Sequence, residues 1–406
     1  MSEQQPVIGI AGFGMEGRAV YEYFKGEAEL HVFDERPIPS VSPDVIMHKG
    51  LEIPESIEIL YKSPGIPTSK VRLASRNTRI STFMNLVLEK VGKRTIGVTG
   101  TKGKSTVTAL IYHVLKSRGE DVVLFGNIGL ADAKTLKTDV PGRTYVIELS
   151  SYQCEHLTHS PHIAVLTNFF PEHLTHHGSL ERYREAKLNI ARFQTSSDAF
   201  INGSDLEVSF EGHVARSRAA QYGHIETKLL GEHNQQNAAV ALSALASFGV
   251  PKTVARPFLA TFEPLPYRLE RVGTFEGTTF YDDSLATVPE ATLASIHALP
   301  RVDTIILGGE DRGISFEAFA RALSDTHIQT FIIFPETGEK MVTHVNPESV
   351  VRVSSMDEAV REAFTRTPKD GVVLLSNASP SFNLFKDYKD KSAKYRDAIK
   401  RASMTP

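Results

Sequence analysis

The feature that most constrains this chain is the run Gly100-Thr101-Lys102-Gly103-Lys104-Ser105-Thr106. It stands between an apolar strand pattern, Thr95–Thr99, and a helical pattern, Thr106–Ser117. A strand that passes through small residues into a helix start aims several backbone N–H groups at one point, which suits a phosphate. Lys104 would neutralise phosphate charge, and the Ser105 hydroxyl would join the shell of a Mg²⁺ ion. The general form of such a loop, GxxxxGK[ST], needs glycine at 98, where Val98 stands, so this is a shortened variant. A structural glycine turn beside surface lysines is the plainer alternative. The order of strand, GxxGKS and helix favours a nucleotide, and ATP is the one expected.

A second glycine turn opens the chain. The strand Val7–Ala11 meets Gly12-Phe13-Gly14-Met15-Glu16-Gly17, a helical pattern runs through Phe24, and the strand Leu30–Phe33 ends at Asp34. This is a βαβ start with a GxGxxG turn and an acid about 20 residues on, the pattern of a dinucleotide or nucleotide site. Strand Ile57–Tyr61 precedes a turn at Ser63–Pro67. Strands alternate with helices again after Lys93, with candidates at Val122–Phe125, Tyr145–Leu149 and Ile163–Asn168. Residues 203–224 are polar and irregular, and a small antiparallel insert is expected there. Helix Asn234–Phe248 follows, and Glu263–Pro266 reads as a linker. Beyond it, strands are expected at Thr279–Tyr281, Thr304–Leu307, Thr330–Ile333 and Gly371–Leu375. Helices are expected at Glu290–Leu299, Phe316–Leu323, Met356–Thr365 and Tyr388–Ala402. The alternation predicts mostly parallel sheets covered on both faces. Three α/β domains are expected: a Rossmann-like domain over 1–91, a phosphate-loop domain over 92–265 and a second Rossmann-like domain over 266–406.

The length of 406 residues exceeds one ordinary core. A formal charge of −3 argues against a general nucleic-acid binder. No apolar run of membrane-spanning length occurs. The first residues, MSEQQPVIGIAGFG, lack the pattern of a secretory signal, so a cytoplasmic address is expected, as is a monomer. The single cysteine, Cys154, excludes an internal disulfide and a cysteine-rich zinc site.

Two further clusters carry chemistry. Glu148 ends the apolar strand Tyr145–Leu149, where a carboxylate faces the ligand crevice of such sheets and could hold a metal ion. Asn168–His177 carries His173, His176 and His177. Three histidines invite zinc, but no cysteine or HExxH helix accompanies them, and phosphate chemistry favours Mg²⁺. His173 reads as functional, His176 and His177 as surface residues. Lys187, taken alone, reads as an exposed helical lysine.

In order, GTKGKST, FGNIG, IELSSYQ, TNFFPEHL, REAK, GEHNQQN, LPYRLE, YDDSLAT, LGGEDRG and LLSNASPSF resemble the Mur ligases, the ATP-dependent amino-acid-adding enzymes of peptidoglycan precursor synthesis. The resemblance covers essentially the whole chain and is greatest for the glutamate-adding branch. It implies ligation of D-glutamate to UDP-N-acetylmuramoyl-L-alanine through an acyl phosphate. It further implies two Mg²⁺ ions held by Ser105, Glu148, His173 and Lys187, the last as a carbamate formed with CO₂. Asn127 would meet the phosphates or the acyl phosphate. ATP would lie against Gly100–Thr106, with Asn234 and Asn237 on its adenine side and Arg268 and Asp283 reaching the γ-phosphate and ribose. The UDP group would lie on Gly14, Met15, Glu16, Gly17, Asp34, Glu35, Ser63 and Gly65. Thr287, Arg312, Ser381 and Phe382 would hold the incoming glutamate.

The chain departs from that branch at Tyr267, where histidine is usual, and at Leu285 and Arg312, where lysine is usual. Arg312 keeps the charge and can clamp a carboxylate with two N–H groups. DDSLATVPEAT and GGEDRG also resemble a variant that adds L-glutamate. Folylpolyglutamate synthases share the later domains but lack the first, so the βαβ start counts against them. A nucleotide-binding regulatory protein on the same fold is the non-enzyme alternative.

Overall fold

The computed structural model describes residues 5–36, 45–126 and 133–404. Three main sheets follow one another along the chain. The first is wholly parallel, in the order Val45–Lys49, Glu29–Asp34, Val7–Ala11, Ile59–Lys62, Arg79–Ser81. The second is also parallel, in the order His213–Arg216, Ala199–Asn202, Ile163–Leu166, Thr95–Thr99, Thr144–Glu148, Val122–Gly126. The third has the order Glu270–Phe275, Thr278–Asp282, Val372–Leu375, Thr304–Gly309, Thr330–Glu336, Val350–Arg352, and only its first pair is antiparallel. Two compact units result. Residues 1–227 and 235–262 carry the first two sheets, and 228–234 with 263–406 carry the third.

Sequence chemistry sets these elements. The central strands Thr95–Thr99, Thr144–Glu148 and Ile163–Leu166 are buried along their whole length, as apolar runs covered by helices on both faces must be. Several helices begin where a side chain caps them: Thr82 accepts from the Asn85 N–H, Ser179 from Arg182, and Asp387 from Asp390. The helix after the phosphate loop starts at Lys104, two residues before the sequence pattern suggested, so Lys104 and Ser105 occupy its first turn. The antiparallel insert expected within 203–224 is not observed. His213–Arg216 instead pairs in parallel with Ala199–Asn202 and extends the central sheet.

Candidate active site

The phosphate loop leaves the carboxyl end of Thr95–Thr99, between Thr144–Glu148 and Ile163–Leu166. Glycine is demanded at two places. Gly103 has φ +78, and a Cβ there would come within 2.3 Å of Asn237 Oδ1. At Gly100 a Cβ would meet Thr167 Oγ1 at 1.9 Å. Lys104 Nζ donates back to the carbonyls of Gly100 and Thr101 at 3.0 and 2.8 Å, which curls its ammonium over the loop.

The segment after Ile163–Leu166 is laced to the loop. Asn168 Oδ1 accepts from the Lys102 N–H at 2.8 Å, Thr167 Oγ1 donates to the Lys102 carbonyl, and Thr101 Oγ1 accepts from the Phe170 N–H. Lys102 pairs with Glu172 at 2.5 Å. His173 follows in the left-handed region at φ 55, a conformation a non-glycine residue keeps only where its surroundings enforce it. Its Nδ1 lies 3.2 Å from the Tyr152 hydroxyl, and burial lowers its pKa, favouring the neutral imidazole. Glu148 is buried in register with Val98, two residues before the loop.

Lys187 is no surface lysine. It is 1% exposed, its Nζ donates to the Gly100 carbonyl at 2.7 Å, and it lies over the Tyr183 ring. Tyr183 in turn places its hydroxyl 3.1 Å from Thr101 Oγ1. Burial first, and then the charge of Lys104, lower the Lys187 pKa to about 7. His177 likewise corrects the surface reading: it is 5% exposed and stacks on Tyr152. Lys104, Ser105, Glu148, His173 and Lys187 therefore belong to one unit and gather around one loop, whose glycine cradle and oxygen and imidazole donors suit a Mg²⁺-bound triphosphate.

In the same unit a cavity of about 470 Å³ opens on the first glycine turn. It is lined by Gly14, Met15, Glu16, Asp34, Glu35, Ser63 and Gly65. Gly17 is absent from the lining. A Cβ there would strike the Gly12 carbonyl, so its part is to let the helix approach the turn. Asp34 braces the turn by accepting from the N–H groups of Phe13 and Arg36. Arg36, in the segment after Asp34, lines it too; sequence reasoning missed Lys70, Gly126 and Gln153, which also line the cavity. Gln153 had a signal. With Ser150 it forms an S-x-x-Q capping box, which turns its amide so that Nε2 donates to Glu16 Oε1 at 2.6 Å. The other Glu16 oxygen is buried without a hydrogen-bond partner, and burial raises the Glu16 pKa to about 7.

The second unit holds the remaining candidates. Asp283 is buried, accepts from the Leu269 N–H and from the Ser295 and Ser376 hydroxyls, and is raised by burial to about 6. Arg268 stands between Tyr267 and Leu269, both at positive φ. The Arg312 guanidinium lies 5.6 Å from the Phe382 ring centroid and pairs with Glu310. Ser379 Oγ donates to the Glu310 carbonyl, which joins the 309–312 and 379–382 segments, and Ser381 is buried beside them. Thr287 is half-buried. Asn234 sits with the second unit and Asn237 with the first, on one helix, Glu232–Ser247. Asn127 lies outside the described residues. No described helix is long and apolar enough to cross a membrane.

Residues 98–224 match the Mur ligase middle domain, and 267–378 match the Mur ligase glutamate ligase domain. A UDP-N-acetylmuramoyl-L-alanine–L-glutamate ligase of Micromonospora sp. is 33% identical over 98% of this chain and 97% of its own. A UDP-N-acetylmuramoylalanine–D-glutamate ligase of Geobacillus kaustophilus is 32% identical over 85% of this chain and 84% of its own. Among solved structures, the MurF of Acinetobacter baumannii matches with a TM-score of 0.65 at 14% identity, covering 98% of this chain and 92% of that one.

Proposed function

This chain belongs to the Mur ligase family, ATP-dependent acid–amino-acid ligases of peptidoglycan precursor synthesis, and from that premise we propose that it joins glutamate to UDP-N-acetylmuramoyl-L-alanine. The observation that carries the proposal is the buried Lys187 amine on the Gly100 carbonyl. It puts a lysine with a lowered pKa, able to take up CO₂ as a neutral amine, against the phosphate loop. Residues 1–91 bind the UDP group in the cavity at Gly14–Glu16, 92–265 bind ATP, and 266–406 bind the amino acid. Ser105, Glu148, His173 and the carbamate of Lys187 would hold two Mg²⁺ ions, which neutralise charge as phosphate and carboxylate meet.

In the reaction the alanyl carboxylate takes the γ-phosphoryl group of ATP, releasing ADP. The glutamate amine then attacks the acyl carbon, and inorganic phosphate leaves. Lys104 holds phosphate oxygens and Arg268 supplies a second fixed charge, while Asp283 braces the turn that carries Arg268. Asn127 and Asn237 serve the phosphates and the adenine side. Arg312, Ser381, Phe382 and Thr287 form the amino-acid pocket, with Arg312 clamping a carboxylate. The enzyme acts as a cytoplasmic monomer.

D-glutamate is the first reading for the amino acid, as in the Geobacillus relative. L-glutamate is the second, favoured by Leu285 in place of lysine and by the Micromonospora relative that matches end to end. Phosphate release from UDP-N-acetylmuramoyl-L-alanine, ATP and Mg²⁺ with each enantiomer separates them. Turnover with neither would overturn the glutamate assignment. Lys187→Ala should lose most activity and regain part of it with added short carboxylic acids. Unchanged turnover in that variant would remove the carbamate.

A further inference from the structure

A second group of metal-binding side chains lies near the ligase residues and is used by none of the steps above. Glu155, His176 and His177 each offer one ligand atom, and these atoms lie within 4.8 Å of one another. They come from two elements that the fold brings together, the end of the Ser151–Cys154 turn of helix and the short helix Leu174–His177. His176 Nε2 lies 3.3 Å from Glu155 Oε2. That is long for a charge-assisted hydrogen bond, and it equals the edge of about 3.3 Å that zinc–ligand bonds of about 2.0–2.1 Å span in a tetrahedron. His177 is buried with its Nε2 3.0 Å from Ser151 Oγ. The three side chains line a cavity of about 450 Å³, which leaves the fourth position open.

We propose that Glu155, His176 and His177 form a site for a zinc-class divalent transition ion, separate from the residues assigned to Mg²⁺. Two imidazoles and one carboxylate are the donors that zinc and cobalt accept and that Mg²⁺ does not prefer. Opposing charge is present: Arg182 and Arg192 line the same cavity, and Lys62 senses Glu155. An anion seated on those arginines would complete the shell. Tyr152 stands between the two sites, with ring centroids 4.2 Å from His176 and 5.2 Å from His173. Sequence alone hid the site, because Glu155 is 21 residues from His176.

The test is Zn²⁺ titration of the full chain against a colorimetric zinc indicator in excess Mg²⁺ without nucleotide, with visible absorption of added Co²⁺ as a second readout. The expected result is about one Zn²⁺ per chain and a four- or five-coordinate Co²⁺ spectrum. Glu155→Gln and His176→Gln should each weaken binding at least about 100-fold, since loss of even an outer-shell partner costs 10–100-fold. Glu155 is exposed and His176 half-buried, so neither change disturbs the core. His173→Ala should bind Zn²⁺ as the wild type does. Loss of binding in His173→Ala, unchanged binding in the Glu155 and His176 variants, or no binding in the wild type would each overturn the proposal. Failure of the glutamate assay would leave this titration unaffected.

Discussion

Removing the charge on Lys187 should change stability in a way that depends on pH. Its pKa falls from an ordinary 10.5 to about 7, chiefly because burial strips water from the ammonium. Below about pH 7 the amine is protonated in both folded and unfolded chains, and its contribution is flat. Between about 7 and 10.5 only the unfolded chain holds the proton, so stability rises with pH, by up to about 1.4 kcal/mol per pH unit. The full span is about 4–5 kcal/mol, an upper figure for a group this deeply buried. Lys187→Met keeps the volume, lacks the titration and loses the bond to Gly100, a constant cost of about 1 kcal/mol. Denaturant unfolding of both proteins at pH 6.5, 7.5 and 8.5 in CO₂-free buffer measures the difference. The variant should be more stable at the lowest pH, and the gap should close as pH rises. A pH-independent gap would show that the Lys187 amine is not desolvated and would remove the basis for its uptake of CO₂.

Other outcomes follow from the same geometry. Gly103→Ala, forced to φ +78 and against Asn237, should cost about 1–2 kcal/mol and weaken ATP binding, read as a smaller nucleotide-induced rise in Tm. Arg36→Ala should raise KM for the UDP substrate about tenfold with kcat little changed, because Arg36 lines the cavity distant in sequence from the phosphate loop. Arg312→Lys keeps the charge but loses the two-pronged clamp, so KM for glutamate should rise roughly tenfold in steady-state assays. Leu285→Lys should shift the ratio of kcat/KM for D- and L-glutamate. An unchanged ratio would place enantiomer choice elsewhere.

Much of the fold was legible because buried parallel strands are written as unbroken apolar runs. Ile163–Leu166 and Val372–Leu375 are of this kind. Most strands at sheet edges were not, since a half-exposed edge needs no such run: Val45–Lys49 and Val350–Arg352 are examples, whereas the apolar edge strand Val122–Gly126 was. The phosphate loop was legible because its glycines are required locally. Lys187 was not legible from its helix alone, as its burial depends on Gly100, 87 residues earlier. Lys70 escaped notice for a like reason, since an ordinary surface cation becomes a ligand group only when a cavity forms around it.

The parallel order of the central sheet also governs how the protein comes into being. Thr95–Thr99 finds its two neighbours about 50 and about 70 residues later in the chain, at Tyr145 and Ile163. The loop that follows it cannot be held in shape until both have been synthesised and docked. Long-range parallel pairing is slow, because chain closure precedes the contacts that reward it. During translation the nucleotide site therefore forms only after the strand Ile163–Leu166 has emerged, well after its own loop has been made.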